Sequence, residues 1–157
     1  MIEINGGGLT LEQVARIARS FEPVRISSSA MAAIERSRAI VDEKRRSGAV
    51  VYGVTTGFGK FAEKRIADGD TEELQRNLIV SHACGTGDPL PTGAVRASML
   101  LRLNALSSGY SGIRLSTMET LLAMLNLGVH PVIPEKGSLG ASGDLVPLAH
   151  MVLPMIG

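Results

Sequence analysis

The chain has 157 residues, 45% of them hydrophobic, and a formal net charge of +1, a balance that excludes a disordered tail and a dedicated nucleic-acid binder. Aromatics make up 3% and tryptophan is absent, so the core must be built from Leu, Ile, Val, Met and Ala, which suits packed helices. The single cysteine, Cys84, rules out an internal disulfide framework and a thiol zinc site; with no leader pattern at the first residues, it favours a reducing cytoplasm.

Thr10-Leu-Glu-Gln13 is a capping-box signature, and Leu11, Val14, Ile17 and Ala18 follow at helical spacing, predicting a helix over residues 11–20. A second helix starts near Ser29, keeps Met31, Ile34 and Val41 on one side and stops at Gly48. Ala49-Val-Val-Tyr52 reads as a short strand feeding the glycine-rich loop Gly53-Val-Thr-Thr-Gly-Phe-Gly59. Asp70-Thr-Glu-Glu73 caps a helix that runs through Leu74, Leu78 and Ile79 to His82, ahead of a turn-rich Gly85-Thr-Gly-Asp-Pro89. Thr92 is expected to cap a helix over 93–108 with Val95, Met99, Leu103 and Leu106 as its apolar stripe. Ser116-Thr-Met-Glu119 caps another that ends at Gly128, and Val129 to Pro134 is extended. Asp144 starts a last apolar helix. The tract Leu145 to Ile156 is shorter than the roughly 20 residues a membrane span requires and contains Pro147 and Pro154. Leu145, Leu148, Met151 and Val152 are expected to pack against helices outside this chain. The fold class is mainly α, with a short strand and glycine-rich loops.

Phosphate-binding motifs fail on inspection. Gly57-Phe-Gly59-Lys-Phe-Ala62 matches a relaxed dinucleotide fingerprint, but the acid expected about 20 residues further on is missing and no helix opens at the glycines. A P-loop fails because Phe61 stands where Ser or Thr must bind magnesium. Gly140-Ala-Ser142-Gly143 and Gly109-Tyr-Ser111-Gly112 place glycine directly after serine, so neither is a nucleophile elbow. The three histidines, His82, His130 and His150, lie far apart without the spacing of a helical metal pair, so no metal site is assigned.

Ala141-Ser142-Gly143 has two readings. One is a tight turn before a helix, with Asp144 as cap and Pro147 in the first turn. The other is chemical: in a sharp bend the amide nitrogen of Gly143 attacks the carbonyl carbon of Ala141, unobstructed because Gly143 has no side chain. Loss of one water, and then of the Ser142 hydroxyl as a second, leaves an exocyclic methylene, an electrophile made from protein alone.

The chain resembles the amino-terminal part of the histidine and aromatic amino acid ammonia-lyases. The resemblance rests on Tyr52-Gly-Val-Thr-Thr-Gly-Phe-Gly59, Leu74-Gln-Arg-Asn-Leu78 with Ser81-His-Ala83, Ser111-Gly-Ile-Arg114 and Gly137-Ser-Leu-Gly-Ala-Ser-Gly-Asp-Leu-Val-Pro-Leu-Ala-His150, in matching order and approximate spacing. It implies a prosthetic group, 4-methylideneimidazol-5-one, formed autocatalytically from Ala141, Ser142 and Gly143, with no external cofactor. It implies Tyr52 as catalytic base, a role that a positively polarised, hydrogen-bonding pocket would serve. His82 would contact the substrate side chain, and Gly59 and Asp144 would support the loop and the strained turn. Asn104 and Arg114 are expected to be structural. The implied domains are an amino-terminal lyase domain over 1–110 and the start of a central helical bundle over 111–157.

The substrate stays open between clues that disagree. Ser81-His82 leans toward histidine, giving urocanate, whereas Thr55 stands where histidine lyases usually carry Asn and aromatic lyases often carry Thr. The resemblance further implies an oligomer of tetramer type, a small amino acid substrate, and active-site groups from a complementary carboxy-terminal chain or segment, with no role for nucleic acid or membrane. Three readings remain: an ammonia-lyase portion, an aminomutase portion that returns the amine to the β-carbon, and a non-catalytic interaction module.

Overall fold

The computed structural model describes residues 1–57, 71–140 and 143–157, with Thr71 described by its backbone only. Strand β1 (Ile2–Ile4) leads to helix α1 (Leu11–Ser20), strand β2 (Val24–Ile26) and helix α2 (Ser28–Arg46). Helix α3 (Thr71–His82), strand β3 (Thr86–Pro89), helix α4 (Thr92–Leu106) and helix α5 (Leu115–Leu127) follow. Strand β4 (Pro134–Lys136) and helix α6 (Leu145–Val152), with a closing 3₁₀ turn over Leu153–Met155, complete the order. The mainly α architecture agrees with the sequence reading, and among the described residues no helix is long and apolar enough to cross a membrane.

Local chemistry explains α1 fully. Thr10 accepts from the Gln13 amide while the Gln13 side chain accepts from the Thr10 amide, the complete capping box. Ile17 and Ala18 are buried, but Leu11 is exposed and takes no part in the core. Ser27 caps α2 through the Ala30 amide, and Gly48, just past its end, has the positive φ of a helix stop.

Helices α1 and α4 pack together, α4 packs on α5, and α3 packs on α6. One core joins Ile4, Ile17, Ile34, Met99, Leu103 and Leu125, each at most 1% exposed. The expected stripe on α4 is this core face, with Leu106 packed at its margin.

The structure corrects several sequence expectations. Residues 49–51 form no strand, and 52–55 form a turn, because the Thr55 side chain takes up the Val51 amide and the Ala49 carbonyl that a strand would use. The expected turn at Gly85–Pro89 is β3, paired antiparallel with β4. Pro91 and Arg114, both in extended conformations, hold the N-cap positions of α4 and α5, so Thr92 and Ser116 fall inside those helices and cap neither. Met151 is 1% exposed in this chain's own core, not directed outward.

Two strands had no sequence signal. β1 and β2 pair in parallel, Ile2 beside Val24 and Ile4 beside Ile26, with all four isoleucine and valine side chains buried. Asn126 completes the free edge of β2: its Oδ1 accepts from the Val24 amide at 2.9 Å and its Nδ2 donates to the Val24 carbonyl at 2.9 Å. A side-chain amide on α5 thus supplies what a third strand would.

Candidate functional site

Tyr52 sits in a turn whose shape is set by two threonines. Thr55 Oγ1 donates to the Ala49 carbonyl at 2.6 Å and accepts from the Val51 amide at 2.8 Å. The buried Thr56 accepts from the Gly53 amide and donates to the Gly57 carbonyl. These bonds stiffen the backbone on both sides of Tyr52 while its side chain stays 62% exposed. Gly59 lies outside the described residues.

Tyr52 lines a cavity of about 460 Å³ together with α3 and α6. Leu78 and His82, one helical turn apart on α3, face Leu145, Leu148 and Val152 of α6 across it. Arg102 of α4 lines the same cavity and is the one Lys or Arg among the described residues that line it. The walls are otherwise mostly hydrocarbon, so a polar ligand there would meet few competing groups.

The protonation pattern of His82 follows from its partners. Its Nδ1 is 2.8 Å from the Leu78 carbonyl, which only accepts, so Nδ1 carries the proton. Ser81 Oγ donates to the same carbonyl and lies 3.2 Å from Nδ1. The ring is thereby held against its own helix by Nδ1, with Nε2 turned away from these two partners.

The predicted triad lies between β4 and α6. Ala141 and Ser142 fall outside the described residues, but both flanks are defined. The Gly143 amide donates to the Gly140 carbonyl at 3.3 Å, closing a turn, and Gly143 has φ +87 with no described residue within 4 Å of where a Cβ would stand. Asp144 is also left-handed, at φ 59, and does not cap α6 through its side chain. Its carboxylate instead accepts from Ser138 Oγ, tying the two sides of the loop together at its neck. A bent backbone, open space beside the Gly143 Cα among the described residues and a fastened neck are the flanks that a five-membered ring at this turn would need.

The remaining predicted positions contact other parts of the fold. Asn104 accepts from the Gly6 amide and donates to the Gly7 carbonyl, holding the segment after β1. Arg114 stands at the start of α5, near enough to Asp42 to help lower its pKa after Arg38. His150 accepts from the Gly85 amide.

His130 meets a residue that the sequence reading missed. Arg96 is 1% exposed and donates to the Ile17 carbonyl at 3.1 and 2.8 Å and to the Leu125 carbonyl at 2.8 Å. Its Nη1 also lies 3.1 Å from His130 Nε2, which must accept because a guanidinium only donates. Burial, followed by the charge of Arg96, holds the His130 pKa below its ordinary value of 6.5.

Comparison with known proteins places these features in context. The family described as aromatic amino acid lyase matches residues 9–157. Histidine ammonia-lyase from Streptococcus pyogenes serotype M5 (strain Manfredo) is 61% identical over 157 residues, covering 100% of this chain and 31% of that protein. The solved structure of ergothionase from Treponema denticola, an ergothioneine-degrading enzyme in complex with desmethyl-ergothioneine sulfonic acid, superposes with a TM-score of 0.95 at 34% identity, covering 99% of this chain and 31% of that one. Tyrosine aminomutase from Streptomyces globisporus superposes with a TM-score of 0.92 at 36% identity, covering 99% of this chain and 29% of that one. The chain therefore corresponds to the amino-terminal 31% of the histidine ammonia-lyases it matches.

Proposed function

The chain belongs to the aromatic amino acid lyase family, and on that premise we propose that it is the amino-terminal portion of an ammonia-lyase that converts L-histidine to urocanate. The observation that carries the reading is the shared cavity: Tyr52 and His82 line it against α6, the helix that begins directly after Gly143 and Asp144. A turn, a helix end and the triad flank thus converge from three separate parts of the sequence.

Ala141, Ser142 and Gly143 would form the methylideneimidazolone, which would supply the electrophile that turns the substrate's α-amino group into a leaving group. Tyr52, exposed on its stiffened turn, takes the β-proton. His82 presents Nε2 to the substrate side chain, its Nδ1 being committed to Leu78. Ser138 and Asp144 hold the neck of the triad loop, and the apolar walls from Leu78, Leu148 and Val152 exclude water around the reacting atoms. Gly59 supports the Tyr52 loop. Residues 1–110 form the amino-terminal lyase domain, and 111–157 begin the central bundle.

A complementary carboxy-terminal lyase segment completes the pocket, and the working unit is a homo-oligomer of tetramer type. Leu145, on the cavity wall and 45% exposed, offers apolar surface to that segment. Thr55 favours a second reading, an aromatic amino acid substrate for a lyase or an aminomutase, because it stands where histidine lyases usually carry Asn and aromatic lyases often carry Thr.

The test is coexpression with a carboxy-terminal lyase chain, followed by intact mass and product analysis. Loss of two waters at the triad with urocanate formed from histidine supports the proposal. A cinnamate-type product or a β-amino acid transfers it to the second reading. An unmodified, inactive chain makes it a non-catalytic interaction module.

A further inference from the structure

His150 is committed to a contact that reaches both ends of the triad loop. Its Nε2 accepts from the Gly85 amide at 3.0 Å, so the ring proton sits on Nδ1. Among the described residues, no other hydrogen bond joins α6 to residues 83–90. Gly85 has little room to move: a Cβ there would come within 3.1 Å of His150 Nε2, 3.2 Å of the Lys136 carbonyl and 3.2 Å of the Pro134 Cβ.

The same glycine touches the other side of the loop. A Cβ on Gly137, where the chain leaves β4 with φ +140, would stand 3.2 Å from the Gly85 Cα and 2.6 Å from Val146 Cγ1 of α6. Gly85 is therefore wedged between the strand that enters the triad loop and the helix that leaves it. It also follows closely on His82, the last residue of α3.

Building on the lyase reading above, we infer that His150 is a positioning residue for ring closure at Ala141-Ser142-Gly143, acting through the Gly85 amide. Cyclisation requires the Gly143 nitrogen to stay close to the Ala141 carbonyl carbon. Fixing the entry and exit of the loop against one backbone unit restricts the conformations in which those atoms drift apart. His150 does not touch the reacting atoms. It holds α6 against the segment that carries Gly85, and so brings the triad flank and the His82 end of α3 into one frame.

The test uses this chain coexpressed with a carboxy-terminal lyase chain, with wild type, His150→Leu and His150→Gln compared by intact mass over time after synthesis. His150→Leu, which cannot accept a hydrogen bond, is expected to slow the loss of two waters at the triad by about tenfold or more. His150→Gln, whose amide oxygen can accept from Gly85, is expected to recover most of the rate while melting at a similar temperature to wild type. If the leucine variant does not fold, His150→Lys, which only donates, is compared with His150→Gln instead. A wild-type rate in the non-accepting variant, or equal loss in it and His150→Gln, overturns the inference alone. A wild-type chain that never loses water overturns the lyase reading and this inference together.

Discussion

The guanidinium carbon of Arg96 lies 3.9 Å from the centroid of the Phe21 ring, and the two residues close a junction among α1, α4 and α5. Phe21 is left-handed, at φ 55, in the C-cap position of α1, where glycine is the usual occupant. The Ile17 and Leu125 carbonyls that Arg96 binds belong to the last turns of α1 and α5, where helix carbonyls lack partners and the dipole is negative. Two helix ends and an aromatic face thus neutralise a buried cation.

Arg96→Met is therefore expected to destabilise the chain by about 2–4 kcal/mol, since methionine fills the stem but leaves the carbonyls unpaired. Arg96→Lys should lose less, because one ammonium can reach only part of the set. Urea unfolding of the three proteins measures both differences.

His130 makes stability depend on mild acid. Its folded pKa lies below 6.5, through burial first and Arg96 second, so the unfolded chain takes up a proton before the folded one does. Its contribution is fully present above about 6.5, declines as pH falls from there to the folded pKa, and levels off below it. Glu22 and Asp42 act further down, because hydrogen bonds from the amino terminus and from Arg38 lower their pKa values below 4.5 and 3.8. Thermal melts between about pH 7.5 and about pH 5 should show a falling midpoint that His130→Gln flattens.

Thr55→Val keeps the volume of the side chain but removes both of its hydrogen bonds, leaving the Val51 amide and Ala49 carbonyl to solvent. Amide exchange at Val51, which loses its acceptor, should quicken by about tenfold, a local loss of roughly 1 kcal/mol. Exchange in α4 should not change.

Tyr52→Phe separates the base from the electrophile. In the assembled lyase the triad should still lose two waters, because Tyr52 stands on a different segment, while turnover falls by about 10²–10⁴. Intact mass and deamination rate measured on the same sample check both halves. Equal turnover would remove Tyr52 from the mechanism.

Features decided within a few residues were legible in the sequence. The Thr10–Gln13 capping box and the Val95, Met99, Leu103 stripe both formed as expected. Features decided across the chain were not. β2 depends on Asn126, β3 on β4, and Arg96 on two distant carbonyls, and nothing next to those residues announces such partners. Thr92 and Ser116 looked like caps because their residue types are right, but the extended Pro91 and Arg114 turn the chain into the helix one or two residues earlier. At the site, Tyr52 and His82 came from resemblance and share a cavity, whereas Arg102 was missed because a lone arginine on a helix reads as a solvated face.

The burial of Met151 bears on the order in which the molecule is made. Met151 shares one core with Ile2 and Ile4, so residues from the first and last stretches of the chain must be present before that core closes. Synthesis runs from the amino terminus, and the triad leaves the ribosome just ahead of α6, the helix that carries Met151. The contacts of α6 with Gly85 and Gly137 consequently form only once α6 has docked. Emergence of residues 141–143 and docking of α6 are thereby separated in time, and a chain stalled before Met151 would lack the side chain that joins α6 to this core.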